Sequence, residues 1–121
     1  MTGSRAALGQ RGETAAAAFL KRQGYEVLAR NYHSRYGEID IIACKDGRLA
    51  FVEVKTRSSL QYDTPGAAVN FLKQRKIRKT ALIWLQAQDK VYEELAFDVV
   101  EILVSAARPE QAKLRWLKSC F

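Results

Sequence analysis

Asp46-Gly47 lies between two runs of β-type residues, Glu38 to Cys44 and Leu49 to Lys55. A type I′ turn needs positive φ at both central residues, and Asp followed by Gly tolerates this best, so the pair predicts a tight antiparallel hairpin. A two-residue loop also fixes the register: Ile41 faces Val52, Asp40 faces Glu53 and Glu38 faces Lys55. Alternation places Ile39, Ile41, Ala43, Ala50, Val52 and Val54 on one wholly apolar face, which must be core. The opposite face runs from Ile42, Cys44, Leu49 and Phe51 near the turn to Glu38, Asp40, Glu53 and Lys55 at the open end. Opposed like charges about 5 Å apart at Cβ destabilise a sheet unless something positive joins them. Lys55 balances only part of that charge. A divalent cation shared by Asp40 and Glu53 resolves the conflict, because hard cations such as Mg²⁺ are held by one or two carboxylates with waters and substrate phosphates.

Around this hairpin, Gly9 to Gln23 reads as a helix rich in Ala, with Phe19 and Leu20 as core contacts and Gly24 as its stop. Glu13 would then be a first-turn acid, which favours a helix wherever it points. Tyr25 to Tyr32 reads as a strand, followed by a polar connector with Arg30, His33 and Arg35. A lone His33 is expected to be a surface residue rather than a base. Ser58 to Asp63 reads as a loop beside the carboxylates. Thr64-Pro65 opens a helix that runs to about Gln88, with Asn70 as its weak point and Val69, Leu72, Ile77, Ala81 and Trp84 or Leu85 as its inner stripe. Leu95 to Val104 is a strand in which Asp98 is expected to pair with an Arg or Lys. A turn around Pro109 and a short strand with Leu114, Trp116 and Leu117 complete the chain, and Trp116 and Phe121 are expected to close one end of the core. The order predicts an α/β fold with a mixed sheet centred on the hairpin and flanked by helices.

At 121 residues the chain is long enough for one core, so 1–121 is read as a single domain. Twenty Lys and Arg against thirteen Asp and Glu give a net charge of +7, which points to a polyanionic partner. Lys73, Arg75, Lys76, Arg78 and Lys79 form a run with no acid among them. A charge run usually marks a solvated helix face, but a run of one sign repels itself and phosphates would relieve it. Cys44 and Cys120 are too few and too distant for a disulfide framework or a zinc site. Without a signal-like or membrane-length apolar stretch, the expectation is a cytoplasmic protein with no membrane association.

Asp40 followed by Glu53-Val54-Lys55 resembles the D…ExK core of the restriction-endonuclease-like, PD-(D/E)xK, nuclease superfamily. Ile39 stands where that motif's Pro would be. Gly12-Glu13, Arg30-Asn31, Gly37-Glu38-Ile39-Asp40 and Phe51-Val52-Glu53-Val54-Lys55-Thr56-Arg57 together resemble the bacterial YraN-like family, which is grouped with archaeal Holliday-junction resolvases. The resemblance implies a restriction-endonuclease-like fold and a metal-dependent DNA endonuclease, structure-specific for branched DNA in repair or recombination. It implies Mg²⁺ or Mn²⁺ on Asp40, Glu53 and the Val54 carbonyl, with Lys55 orienting water and Glu13 reaching the metal site. It also places Lys73 and Gln74 close to the active site and implies a homodimer. Arg57, Lys73, Gln74, Arg75, Lys76, Arg78 and Lys79 are the expected contacts to the DNA backbone. The alternative expectation is a non-catalytic nucleic-acid-binding module acting with a protein partner.

Overall fold

The computed structural model describes residues 4–58, 70–104 and 112–121, and its elements follow the expected order. Helix α1 spans Ser4–Arg22 and β1 spans Glu26–Ser34. Strands β2 (Gly37–Lys45) and β3 (Arg48–Ser58) form the hairpin. Helix α2 (Phe71–Gln86), β4 (Glu94–Val104) and β5 (Lys113–Leu117) complete the fold. The five strands form one sheet in the order β1-β2-β3-β4-β5, antiparallel except for the parallel β3–β4 pair. The architecture is a mixed α/β sheet with two helices. Among the described residues no helix is long and apolar enough to cross a membrane.

The hairpin forms as its turn chemistry dictates. Asp46 and Gly47 both take positive φ, at 47° and 82°, and pairing runs from Lys45 with Arg48 to Ile41 with Val52. Because side chains alternate across β2 and β3, two cores result. Ile41, Ala43, Ala50 and Val52 pack with Ala16, Ala17 and Leu20 of α1, whereas Ile42, Leu49 and Phe51 pack with Ile77, Ala81 and Trp84 of α2. The helices therefore cover opposite faces of the sheet.

Helix α1 ends at a Schellman motif: Gly24 takes φ of 91°, its N–H donates to Lys21 O, and the Tyr25 N–H donates to Leu20 O. It begins at Ser4, earlier than Gly9, and has no acid in its first turn. Glu13 is consequently a mid-helix residue, and the helix macrodipole does not account for it. Helix α2 is capped by Asn70, whose side chain accepts the Lys73 N–H at 2.9 Å.

Several expectations are corrected. Arg30 and His33 belong to β1 rather than to a connector. Ile39 packs on the α2 side with Ile42, not with Ile41. Its neighbour across the ladder, Tyr32, shares that side with Ala29, although an unbroken strand would separate residues of opposite parity. Both strands change face around Asn31, which takes the left-handed φ of 51°. Leu72 is 66% exposed, so the inner stripe of α2 is Ile77, Thr80, Ala81 and Trp84. Trp116 packs edge-on against Phe19 and Tyr25 on the α1 side, while Phe121 stacks on Phe97 on the α2 side, so the two do not close one end together. Val69, the 59–63 loop, the Thr64-Pro65 helix start and the turn around Pro109 lie outside the described residues.

Asp98 does pair with an arginine. Fully buried, it accepts Arg48 through both guanidinium nitrogens at 2.8 and 2.9 Å, the Trp116 indole N–H at 3.1 Å and the Ser119 N–H at 2.8 Å. Removing one partner of a buried, hydrogen-bonded ion pair leaves the other uncompensated, so Asp98→Ala is expected to cost about 3–5 kcal/mol in urea denaturation.

Gly12 shows why α1 can lie so near β3. A Cβ there would stand 2.5 Å from Thr56 Oγ1 and 3.4 Å from Ile102 Cδ1. Gly12→Ala is therefore expected to destabilise the fold by about 1–3 kcal/mol, and Thr56→Ala in the same chain to recover part of that loss. Chemical denaturation of the two single variants and the double variant checks this.

Candidate functional site

Beyond Ile41 and Val52 the hairpin ladder gives way to a side chain: Asp40 Oδ2 accepts the Val54 N–H at 2.8 Å. This bond ties the acid of β2 to the backbone beside the acid of β3. Asp40 and Glu53 are thereby brought close enough for the charge of one to act on the other. Glu53 is buried, only 6% exposed. Burial, then the Asp40 charge, push its carboxyl up to about 7.

The cation that opposes this shift comes from α2. Lys73 Nζ lies 2.7 Å from Glu53 Oε2, and its own pKa is raised because the Glu53, Asp40 and Glu38 carboxylates outweigh the cost of burial. The Asn70 cap sets where α2 begins and hence which turn carries Lys73 to the sheet. Lys55, expected to share this face, is exposed and makes no ion pair with the carboxylates among the described residues. Its expected neighbour Glu38 instead pairs with His33 Nδ1 at 3.2 Å, with both side chains largely in solvent.

Glu13 approaches from α1. Burial and the Asp40 and Glu38 charges raise its pKa, against Arg30 and a hydrogen bond from Asn31. Its Oε1 is buried without a hydrogen-bond partner. A carboxylate oxygen in that state costs free energy unless something donates to it. Arg30 in turn donates from Nη2 to Thr14 Oγ1 at 3.2 Å, beside Glu13 on α1. Sequence reasoning had given Arg30 and Asn31 no role. Their signals were the Arg30-Asn31 pair within the family resemblance and, for Asn31, its residue type, since Asn accepts a left-handed backbone.

The expected nucleic-acid residues separate. Arg57 is 5% exposed and its Nε lies 3.0 Å from Glu101 Oε2, with Glu101 also held by Arg115. That places Arg57 inside the fold rather than on a phosphate-facing surface. The Arg78 guanidinium lies 5.0 Å from the Phe97 ring centroid and 5.8 Å from that of Phe121. Gln74 is half-buried, whereas Arg75, Lys76 and Lys79 are exposed around Arg35 and Tyr36. Among the described residues, no group of three or more His, Cys, Asp or Glu side chains is arranged as a ready metal cage.

The titration of Glu53 has a definite sign. Its folded-state pKa lies above the ordinary 4.5, so the unfolded chain gives up this proton first and stability falls as pH rises from 4.5 through about 7. Relative to Glu53→Gln, wild-type stability is expected to decline across that window and to level off above it. Lys73→Met, which removes the opposing ammonium, should extend the decline to higher pH. Urea denaturation across the pH range checks both.

Residues 12–102, from Gly12 to Ile102, match the model of "Uncharacterised protein family UPF0102". A UPF0102 protein of Nocardia farcinica is 48% identical over 103 residues, covering 85% of this chain and 81% of the relative. One of Syntrophomonas wolfei is 44% identical over 97 residues, covering 80% and 84%. One of Caldicellulosiruptor saccharolyticus is 40% identical over 114 residues, covering 94% and 96%. The matched span contains Glu13, Asp40, Glu53 and Lys73.

Proposed function

The chain belongs to the UPF0102 family, that of the YraN-like proteins, and we propose that it is a metal-dependent endonuclease hydrolysing phosphodiester bonds in DNA. The carrying observation is the convergence of a half-buried Asp40 and a buried Glu53 at the open end of the hairpin, with an unsatisfied Glu13 oxygen whose carboxyl feels the Asp40 charge. Burial and the neighbouring Asp40 charge, which push the Glu53 carboxyl up to about 7, make this a site in search of positive charge. The donor chemistry fits a hard divalent cation, because all the converging groups are oxygen ligands. Asp40, Glu53 and the Val54 carbonyl would hold Mg²⁺ or Mn²⁺, with Glu13 supporting it. When bound, such an ion polarises a phosphoryl oxygen and makes a water acidic near neutral pH. The same order of elements supports the finer reading of the sheet as restriction-endonuclease-like.

The chain's own groups divide the remaining work. Lys73 neutralises Glu53 in the structure and, once another cation replaces it there, is free to bind a phosphate oxygen. Lys55, exposed on β3 two residues beyond Glu53, is the group left to orient water. Arg75, Lys76 and Lys79 lie along the same helix as Lys73 and would hold the substrate backbone.

A cleavage assay on supercoiled, linear, flapped and four-way-junction DNA, with Mg²⁺, Mn²⁺ or EDTA, tests the reading. Metal-dependent cutting is expected, with losses of at least about 10²-fold in Asp40→Asn and Glu53→Gln. Wild-type protein that binds DNA but cuts nothing with either metal would replace the enzyme with the binding module.

A further inference from the structure

One turn along α2 from Lys73 lies a second concavity, of which the hydrolytic reading uses only the cations Arg75, Lys76 and Lys79. It has a volume of about 430 Å³ and is lined by Arg35, Tyr36, Leu72, Arg75, Lys76 and Lys79. That size lies within the range of small-ligand pockets, about 300–1,000 Å³. Among the described residues its lining includes four cations and no acid.

The two walls are fixed to each other. One is the turn between β1 and β2, and the other is the N-terminal half of α2. Ser34 Oγ and Thr80 Oγ1 are 2.8 Å apart, and Gly37 lies so near α2 that a Cβ there would stand 3.5 Å from Lys76 Cβ. Inside the pocket, Arg35 donates from Nη2 to the Tyr36 hydroxyl at 2.8 Å. The Arg35 guanidinium and Lys79 ammonium lie 4.9 and 5.1 Å from the Tyr36 ring centroid. The tyrosine ring thus holds two like charges that would otherwise repel, and only an anion can relieve all four. Next to them Leu72 and Phe71 expose 66% and 70% of their surface, with the Arg75 guanidinium 6.0 Å from the Phe71 ring centroid.

A ligand matching this lining needs negative charge and an apolar flat face in one small unit. A paired duplex offers its phosphates but keeps its base faces stacked inside. An unpaired nucleotide offers both. We propose that this pocket takes an unpaired nucleotide of the DNA strand whose adjacent phosphate lies at the Asp40–Glu53 carboxylates, an inference that rests on the nuclease reading above. The phosphate meets Arg75, Lys76, Lys79 and Arg35, and the base lies against Tyr36 and Leu72. Helix α2 sets the distance between the two places. Lys73 touches Glu53, and Lys76 in the pocket follows it by a rise of about 4.5 Å. The substrate class is accordingly DNA with a single-stranded segment at the cut, such as an overhang, flap or unstacked junction arm.

The test compares a blunt duplex with the same duplex carrying a single-stranded overhang, both fluorescently labelled, by anisotropy in EDTA. Wild type, Tyr36→Leu and Leu72→Ser are measured, with thermal melts to verify folding. Wild type is expected to prefer the overhang, and each variant to lose about fivefold or more of that affinity while blunt-duplex binding changes less than twofold. Equal losses on both probes, or no loss on either, would overturn the pocket and leave only a phosphate-tracking surface. The two readings fail separately. Overhang preference that depends on Tyr36 in a protein that cuts nothing leaves the pocket and removes the nuclease, whereas metal-dependent cutting of both probes without that preference does the reverse.

Discussion

The hydrogen bond from the Val54 amide to Asp40 is the constraint on which the site rests. Up to Ile41 and Val52 the hairpin is an ordinary ladder, and its apolar faces are consumed by two helices. At Asp40 a carboxylate takes the place of a backbone acceptor. The acid is thereby held against the backbone that carries Glu53, and neither can swing away into solvent. Everything charged nearby answers to that placement: Lys73 reaches in from α2, and Asn31 bends its strand to donate towards Glu13.

Helix periodicity explains how one run of cations serves several ends. Lys73 points at Glu53 on the central strand, while Arg75, Lys76 and Lys79 surround Tyr36 and Arg78 covers Phe97 and Phe121. Residues three or four apart share a face and their neighbours do not. A sequence run of one sign is therefore not one surface, and only part of it is available to a phosphate backbone.

The hairpin was legible because Asp-Gly is a local signal and register follows from it by counting. Element order was legible for the same reason, each helix and strand carrying its own period. The failures were of a different kind. Ile39 changes face because Asn31 adopts a left-handed backbone on the neighbouring strand, a fact that no alternation within β2 can reveal. Arg57 and Glu101 find each other only through the parallel β3–β4 pairing, and Leu72, in the first turn of α2, is left 66% exposed. Lys55 stands apart from Glu53 for a tertiary reason as well. The ammonium on the neighbouring helix reaches Glu53, whereas the one on the same strand remains in solvent.

Mechanically, the hairpin is a clip pinned at one end. At the turn, Lys45 pairs with Arg48, the Glu94 N–H donates to Gly47 O, and Arg48 is tied to Asp98 and Glu94. At the other end a single side-chain bond bridges the same two strands. The two ends of one hairpin are thus held by different means, backbone pairing and an arginine network at the turn and a carboxylate at the opening, while β4 keeps β3 in place along its whole length.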